Sequence, residues 1–240
     1  MNPPKGLFSA PETALSGGAY DLLLTEASKA RDQGSLLRRV SWQVAPRVIH
    51  FVSTIAWRLR IDYGVGFPEP PFVIAANHSS FLDPPMVAAA YRRRIRFLTL
   101  IDLFGNYRTL DLALKTFEVI EVKRGSIPLR ALRRALDHLG EGGVVAIFPE
   151  GTRAWRFGDK PVALGAAWLA LRAKVPLVPI AIAGTENVLG VDNKLRRGRI
   201  KVFVGPALYP EGSGREAAQD LTERWAAWIR SRLSPEIGAP

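Results

Sequence analysis

The sequence predicts an α/β fold: a single domain on a mixed, largely parallel sheet flanked by helices, preceded by an amphipathic helical segment. Three observations predict it. From residue 70 onward, short apolar runs of strand length alternate with stretches of helical periodicity. The links between them are short. And 240 residues with 48% hydrophobic content are enough to bury a substantial core.

Residues 1–19 carry Pro3, Pro4, Pro11, Gly17 and Gly18 and read as a loose tail. Residues 20–61 read as a helical, membrane-associating segment, with a short helix over 20–33 and a longer one over 36–60. In the longer one Val40, Val44, Val48, Phe51, Ile55 and Leu59 recur at spacings of 4, 4, 3, 4 and 4, one face of a helix. Arg39, Gln43, Arg47, His50, Thr54 and Arg58 form a polar stripe beside it, and Trp42 and Trp57 sit near the boundary. Pro46 is a candidate kink. A basic amphipathic helix edged with Trp suits a membrane surface. It equally suits a surface helix that packs its apolar side on the core.

Residues 62–240 read as the main domain. Strands are expected at 72–76, 95–99, 117–122, 144–148, 176–182 and 200–204. Helices are expected at 84–92, 127–139, 164–173 and 214–232, the last with Leu221, Trp225, Trp228 and Ile229 on one face.

Composition narrows the chemistry. The chain has no cysteine, which excludes disulfides, thiolate metal sites and a cysteine nucleophile. Three histidines, His50, His78 and His138, argue against a histidine-rich metal site. The net charge of +11 points to phosphate-bearing partners, whether nucleic acid, anionic lipid or a small substrate. No run of about 18 apolar residues supports a spanning helix. Met1-Asn-Pro-Pro-Lys5 lacks the pattern of a signal peptide, so the expectation is a protein facing the cytoplasm.

Four stretches carry candidate chemistry. Asn77-His78-Ser79-Ser80-Phe81-Leu82-Asp83-Pro84 follows the strand 72–76, and strand ends in α/β sheets collect sites. His78 can serve as a general base, with Asp83 reaching back to fix its tautomer. Asp83 before Pro84 and Pro85 also reads as a helix N-cap, and His78 as a loop histidine. Phe148-Pro149-Glu150-Gly151-Thr152-Arg153 follows the strand 144–148. Its glycine permits close backbone approach, its arginine can clamp a phosphate, and Glu150 can accept from a hydroxyl. An ordinary turn fits it as well. Lys123-Arg124-Gly125-Ser126 suits an anion or a solvated turn. Val175-Pro-Leu-Val-Pro-Ile180 is an apolar strand with two prolines, expected at a sheet edge, against a pocket or in the core.

In this order and spacing the four stretches resemble the glycerolipid acyltransferase family, and its 1-acylglycerol-3-phosphate acyltransferase group in particular. The likeness covers about residues 70–205. It implies transfer of an acyl group from an acyl-CoA or acyl-carrier-protein thioester to a lysophospholipid hydroxyl, with 1-acylglycerol-3-phosphate giving phosphatidic acid. It implies His78 as the base and Asp83 as its partner. It implies that Asn77, Lys123, Arg124, Glu150, Gly151, Thr152 and Arg153 bind substrate, with Pro179 near a pocket. No metal or bound cofactor is implied beyond the thioester co-substrate. Family members work at the cytoplasmic face of a membrane, which fits residues 36–60 and the basic charge. The chain departs from the pattern at Leu100 and at Val162-Ala-Leu-Gly165, where many relatives carry a lysine, and at Lys123, where an acidic residue is common. Those departures keep another lysolipid or a glycolipid, such as a lyso-ornithine lipid, open as the acceptor. A basic nucleic-acid-binding module is the alternative from another class, on the clusters 92–96 and 194–201. The same two clusters are expected to flank the mouth of the site.

Overall fold

Every residue of Phe72-Val-Ile-Ala-Ala76 is buried. Successive side chains of a strand point to opposite faces. Phe72, Ile74 and Ala76 therefore join one core cluster, while Val73 and Ala75 join another. A strand covered on both faces has to be apolar throughout, which is why this run shows no alternation.

The computed structural model describes residues 40–100, 120–122 and 129–234. Ser41–Pro240 forms one compact unit, and of the other unit, Met1–Val40, only Val40 is described. The elements are helix α1 (40–57), then β1 (Arg60–Asp62), β2 (Phe72–Ala76), α2 (Asp83–Tyr91), β3 (Arg96–Leu100), β4 (Ile120–Val122), α3 (Leu129–Gly140), β5 (Val144–Ile147), α4 (Gly165–Ala173), β6 (Leu177–Ala183), α5 (Thr185–Val188), β7 (Lys201–Val204) and α6 (Gly214–Leu233). The seven strands lie in the order β1-β7-β6-β2-β5-β3-β4. Five of them, β6 through β4, run parallel; β7 is antiparallel to β6, and β1 is parallel to β7. The sheet is thus mixed and largely parallel.

Helices cover both faces. Trp42 of α1 and Met86, Val87 and Tyr91 of α2 pack with the first cluster. Ala131, Ala135 and Leu139 of α3, Leu169 of α4 and Leu221, Trp225 and Ile229 of α6 pack with the second. Trp225 Nε1–H donates to the Ala75 carbonyl at 2.9 Å, which ties α6 to the central strand.

Two elements were not anticipated. β1 has three residues with exposed ends, and α5 is a single turn, so neither carries a readable period. The segment expected over 20–61 is described from residue 40. From there it belongs to the sheet body, because α1 supplies core residues and β1 is an edge strand. The 1–19 tail, the 20–33 helix and residues 117–119 lie outside the described residues.

The apolar stripe of α1 does not pack on the core. Val44, Val48, Phe51, Val52 and Ile55 are exposed, Phe51 by 65% and Ile55 by 69%. The inner face is instead Trp42, Pro46, Ile49, Ser53 and Trp57. Leu59 alone of the stripe is buried, because the chain turns at Arg58 (φ 49°) and the Leu59 N–H donates to the Ser53 carbonyl.

One expected placement is overturned. α2 carries the chain from the carboxyl end of β2 back to the start of β3, where Arg96 pairs with Val145. The basic cluster 92–96 therefore sits at the end of the sheet opposite His78. The cluster 194–201 sits at the His78 end, since β7 starts at Lys201 opposite Ala183, the last residue of β6.

Replacing Trp225 tests how the helix is held. W225A is expected to cost about 3–5 kcal/mol through a core cavity. W225F keeps most of the ring but removes the bond from Nε1 to the Ala75 carbonyl, and is expected to cost about 0.5–1.5 kcal/mol. Chemical denaturation followed by circular dichroism measures both.

Candidate active site

Of three adjacent parallel strands, β2 and β5 end together at one end of the sheet and β6 runs three residues further, to Ala183. The register pairs Ala75 with both Ile147 and Pro179, and Ala76 with Ile180. The chain leaving β2 is immediately anchored. Asn77 is 4% exposed; its Nδ2 donates to the Ile182 carbonyl at 2.9 Å, and the Ile182 N–H donates to its Oδ1 at 2.7 Å. The side chain thereby extends the β2–β6 ladder by one step after the backbone has turned away. Asn77, expected to bind substrate, is engaged as this clamp.

His78 follows. Its Nδ1 lies 2.9 Å from Asp83 Oδ2, with the histidine side chain 16% exposed and the aspartate fully buried. The imidazole stacks on Phe148 at 4.3 Å between centroids. Asp83 Oδ2 also accepts from the backbone N–H groups of Ser79 and Ser80, both at 2.7 Å. Asp83 is the first residue of α2 and not its N-cap; Leu82 holds that position without a side-chain bond. Pro84 and Pro85 remove the N–H groups a cap would serve, so the carboxylate is free to turn back on the preceding loop. An ionised carboxylate only accepts, so Nδ1 carries the proton of a neutral His78 and Nε2 keeps the lone pair.

The loop after β5 closes the site from the other side. The Ala154 N–H donates to the His78 carbonyl at 3.0 Å. Glu150 is 6% exposed; its Oε1 accepts from the His78 backbone N–H at 2.7 Å, and its Oε2 is buried with no hydrogen-bond partner among the described residues. Burial raises the Glu150 carboxyl to about 7, partly opposed by the His78 N–H and reinforced by Asp83. Gly151 takes φ +66° where the Gly151 N–H closes the turn onto the Phe148 carbonyl, a conformation that favours glycine. Thr152 is exposed beside it. Arg153 lays its guanidinium over the Phe81 ring at 3.6 Å and donates to Asn193 Oδ1 at 2.8 Å. Burial lowers its proton affinity and Asp83 opposes that shift.

Lys123 and Arg124 follow β4 directly and lie outside the described residues. Pro179 is not with these groups. It is buried within β6, the third strand from the β1 edge, so of the edge, pocket and core placements open to its two-proline pattern the structure shows the core. Its carbonyl accepts from the Gly205 N–H, just past the last residue of β7. The nitrogen of a strand residue points the same way as its carbonyl, so the missing N–H falls where that ladder ends. The ring lies near Gly205 and Trp228, on the α6 side.

Residues not singled out from sequence complete the frame. Thr185 Oγ1–H donates to Asp83 Oδ1 at 2.6 Å, and Asn193 seats Arg153. The same strand-end reasoning that finds His78 finds Thr185, two residues past β6. Asn193 sits in an irregular loop with no pattern to announce it. The loop after α5 is bound to the His78 segment by the Ser80 hydroxyl on the Leu189 carbonyl. This brings Lys194, Arg196 and Arg197, all exposed, to the site end.

Residues 60–183 match the acyltransferase family model. A 1-acyl-sn-glycerol-3-phosphate acyltransferase of Chlamydomonas reinhardtii is 30% identical over 177 residues, 71% of this chain and 51% of that protein. The Pseudomonas aeruginosa enzyme of the same name is 27% identical over 187 residues, 74% and 73% of the two chains. The Bacillus subtilis one is 30% identical over 139 residues, 58% and 67%. The chain thus spans about half the algal relative and two thirds or more of the bacterial ones. The crystal structure of the 1-acyl-sn-glycerophosphate acyltransferase PlsC from Thermotoga maritima shares the fold, with a TM-score of 0.62 over 82% of this chain and 84% of that one, at 19% identity.

The buried Glu150 makes a pH prediction. Its carboxyl is ordinary, near 4.5, when unfolded and near 7 when folded. The protonated form thus stabilises the fold fully below pH 4.5, and that contribution is lost as pH rises through about 7. Over that window wild type should lose up to about 3 kcal/mol relative to E150Q. Denaturation midpoints of the two proteins from pH 4 to 8 check it; parallel curves refute it.

Proposed function

The chain belongs to the acyltransferase family, and from that premise we propose that it acylates the free hydroxyl of a lysophospholipid, 1-acylglycerol-3-phosphate giving phosphatidic acid. The observation that carries the reading is the His78–Asp83 pair at the carboxyl end of β2, with Nδ1 held by a fully buried carboxylate. Nε2 of His78 takes the hydroxyl proton as the acceptor oxygen attacks the thioester carbonyl carbon. The C–O bond forms and a tetrahedral intermediate results. Its collapse breaks the C–S bond, and the imidazolium returns the proton to the departing thiolate. The products are the ester and free thiol, and His78 is neutral again. General-base help of this kind is worth about 10²–10⁴-fold.

Glu150, the carboxyl beside the base, holds the His78 amide through Oε1 and so sets the loop that receives the glycerol backbone. Arg153, with Arg124 and Lys123 after β4, supplies positive charge for the acceptor phosphate. The donor is an acyl-CoA or an acyl-carrier-protein thioester. Catalysis uses no bound cofactor.

The second part of the reading concerns location. No helix among the described residues is long and apolar enough to cross a membrane. α1 instead presents Val44, Val48, Phe51, Val52 and Ile55 outward while its other face is committed to the core. We place this face on the acyl boundary of an anionic bilayer, from which both lipid substrates come.

Thiol release from palmitoyl-CoA and from palmitoyl-carrier protein, each with 1-acylglycerol-3-phosphate in vesicles, tests the reaction. Wild type is expected to release thiol only with acceptor present, and H78A to fall by at least about 10²-fold. Silence with both donors across a panel that includes lyso-ornithine lipid and a glycolipid refutes the enzyme reading. Steeply salt-dependent binding to duplex DNA would then favour the nucleic-acid alternative. For location, F51S/I55S is expected to bind phosphatidylglycerol vesicles at least about 10-fold more weakly in sedimentation, since each buried side chain contributes about 1.5–3 kcal/mol.

A further inference from the structure

Thr185 is fully buried and stands 102 residues from Asp83 in sequence. It opens α5, directly after Gly184. Gly184 has φ +91°, and a Cβ there would lie 1.9 Å from the Arg199 carbonyl oxygen. Only glycine fits, and the turn it makes aims Thr185 at the loop after β2.

The proton positions follow from the chemistry. Asp83 is an acceptor, so the Thr185 hydroxyl donates its hydrogen to Oδ1 at 2.6 Å. With that hydrogen committed, Ser79 Oγ, 3.2 Å from Thr185 Oγ1, must be the donor of that pair. The order is Ser79 to Thr185 to Asp83, and His78 Nδ1–H to Asp83. Oδ2 takes three donors, from His78, Ser79 and Ser80, while Thr185 is the one donor to Oδ1 among the described residues. The carboxylate can turn about its Cβ–Cγ bond, and a bond on Oδ1 fixes that turn. The threonine is itself fixed, being β-branched and buried.

We propose that Thr185 is a positioning residue for the acyl transfer: its hydroxyl locks the Asp83 carboxylate in the rotation that presents Oδ2 to His78. This rests on the reading of His78 and Asp83 as the base pair. Thr185 touches neither substrate nor the reacting atoms, so its loss should appear in kcat and not in KM.

The test compares T185V, T185S and H78A with wild type in the thiol-release assay, with melting temperatures measured alongside. T185V keeps the shape and removes the donor. It is expected to lower kcat about 10- to 100-fold, the worth of one hydrogen bond to a charged group, with KM for the acceptor unchanged. T185S is expected to recover kcat to within about 3-fold, because it restores the donor. The second readout is the imidazole Nδ1–H proton resonance of His78, assigned by its loss in H78A and visible without substrate. It should move or broaden in folded T185V and return in T185S. A T185V protein that melts at a lower temperature yet keeps the wild-type kcat per folded molecule and the wild-type resonance overturns the proposal. So does a T185S protein no better than T185V in both readouts. Full activity in H78A overturns the base assignment instead, and wild-type resonance position in T185V would still count against Thr185 independently of it.

Discussion

A buried carboxylate with no solvent exposure holds this end of the molecule together. Removing an ionised group from water costs several kcal/mol unless donors surround it. Asp83 collects four: two backbone amides, an imidazole and a hydroxyl. Three come from the five residues before it, and the fourth arrives from the far side of β6. Satisfying the charge therefore requires the loop after β2 and the start of α5 to be in place together. The Gly184 turn, the Asn77 clamp and the paired prolines at the start of α2 all serve that requirement.

The layout of the sheet makes this possible. β2 is the middle of the three strands whose carboxyl ends meet, and the loops that follow β5 and β6 reach it from either side. Glu150 from one side holds the His78 amide, and Thr185 from the other holds the Asp83 carboxylate. The His78–Asp83 pair is held by three segments: the loop after β2 itself, the loop after β5 and the start of α5. α1 and α2 cover one face of the sheet behind this end, and the outward side of α1 remains apolar.

The central strands were legible because burial on both faces demands uninterrupted apolar runs, and 72–76 and 144–147 show them. The stretches 77–84 and 148–153, which the structure brings together, were legible because strand ends are where an α/β sheet exposes functional groups. What escaped has physical causes. β1 and α5 are too short for a period. The cap reading of Asp83 failed because α2 starts one residue earlier, with Leu82 at the cap position and the Met86 amide on its carbonyl, and the Asp83 carboxylate turns back to Ser79 and Ser80. The two-proline strand left edge, pocket and core open because proline breaks a ladder, and Pro179 lies in the core, just past the last regular pair of β6 and β7. The stripe on α1 was visible, but amphipathicity does not say which side faces the core. Trp42, Ile49 and Trp57, larger and mostly aromatic, took the inner face. Thr185 stands at a readable strand end, but its role was not legible because its partner Asp83 lies 102 residues away.

The segment after β2 belongs to no helix or strand, yet its amides are almost all spoken for. His78 donates to Glu150, Ser79 and Ser80 donate to Asp83, and the His78 carbonyl receives Ala154. In hydrogen-exchange terms this irregular loop belongs with the core and not with the surface loops. The proposed base then sits on a segment tied into the sheet by hydrogen bonds, as the strands beneath it are.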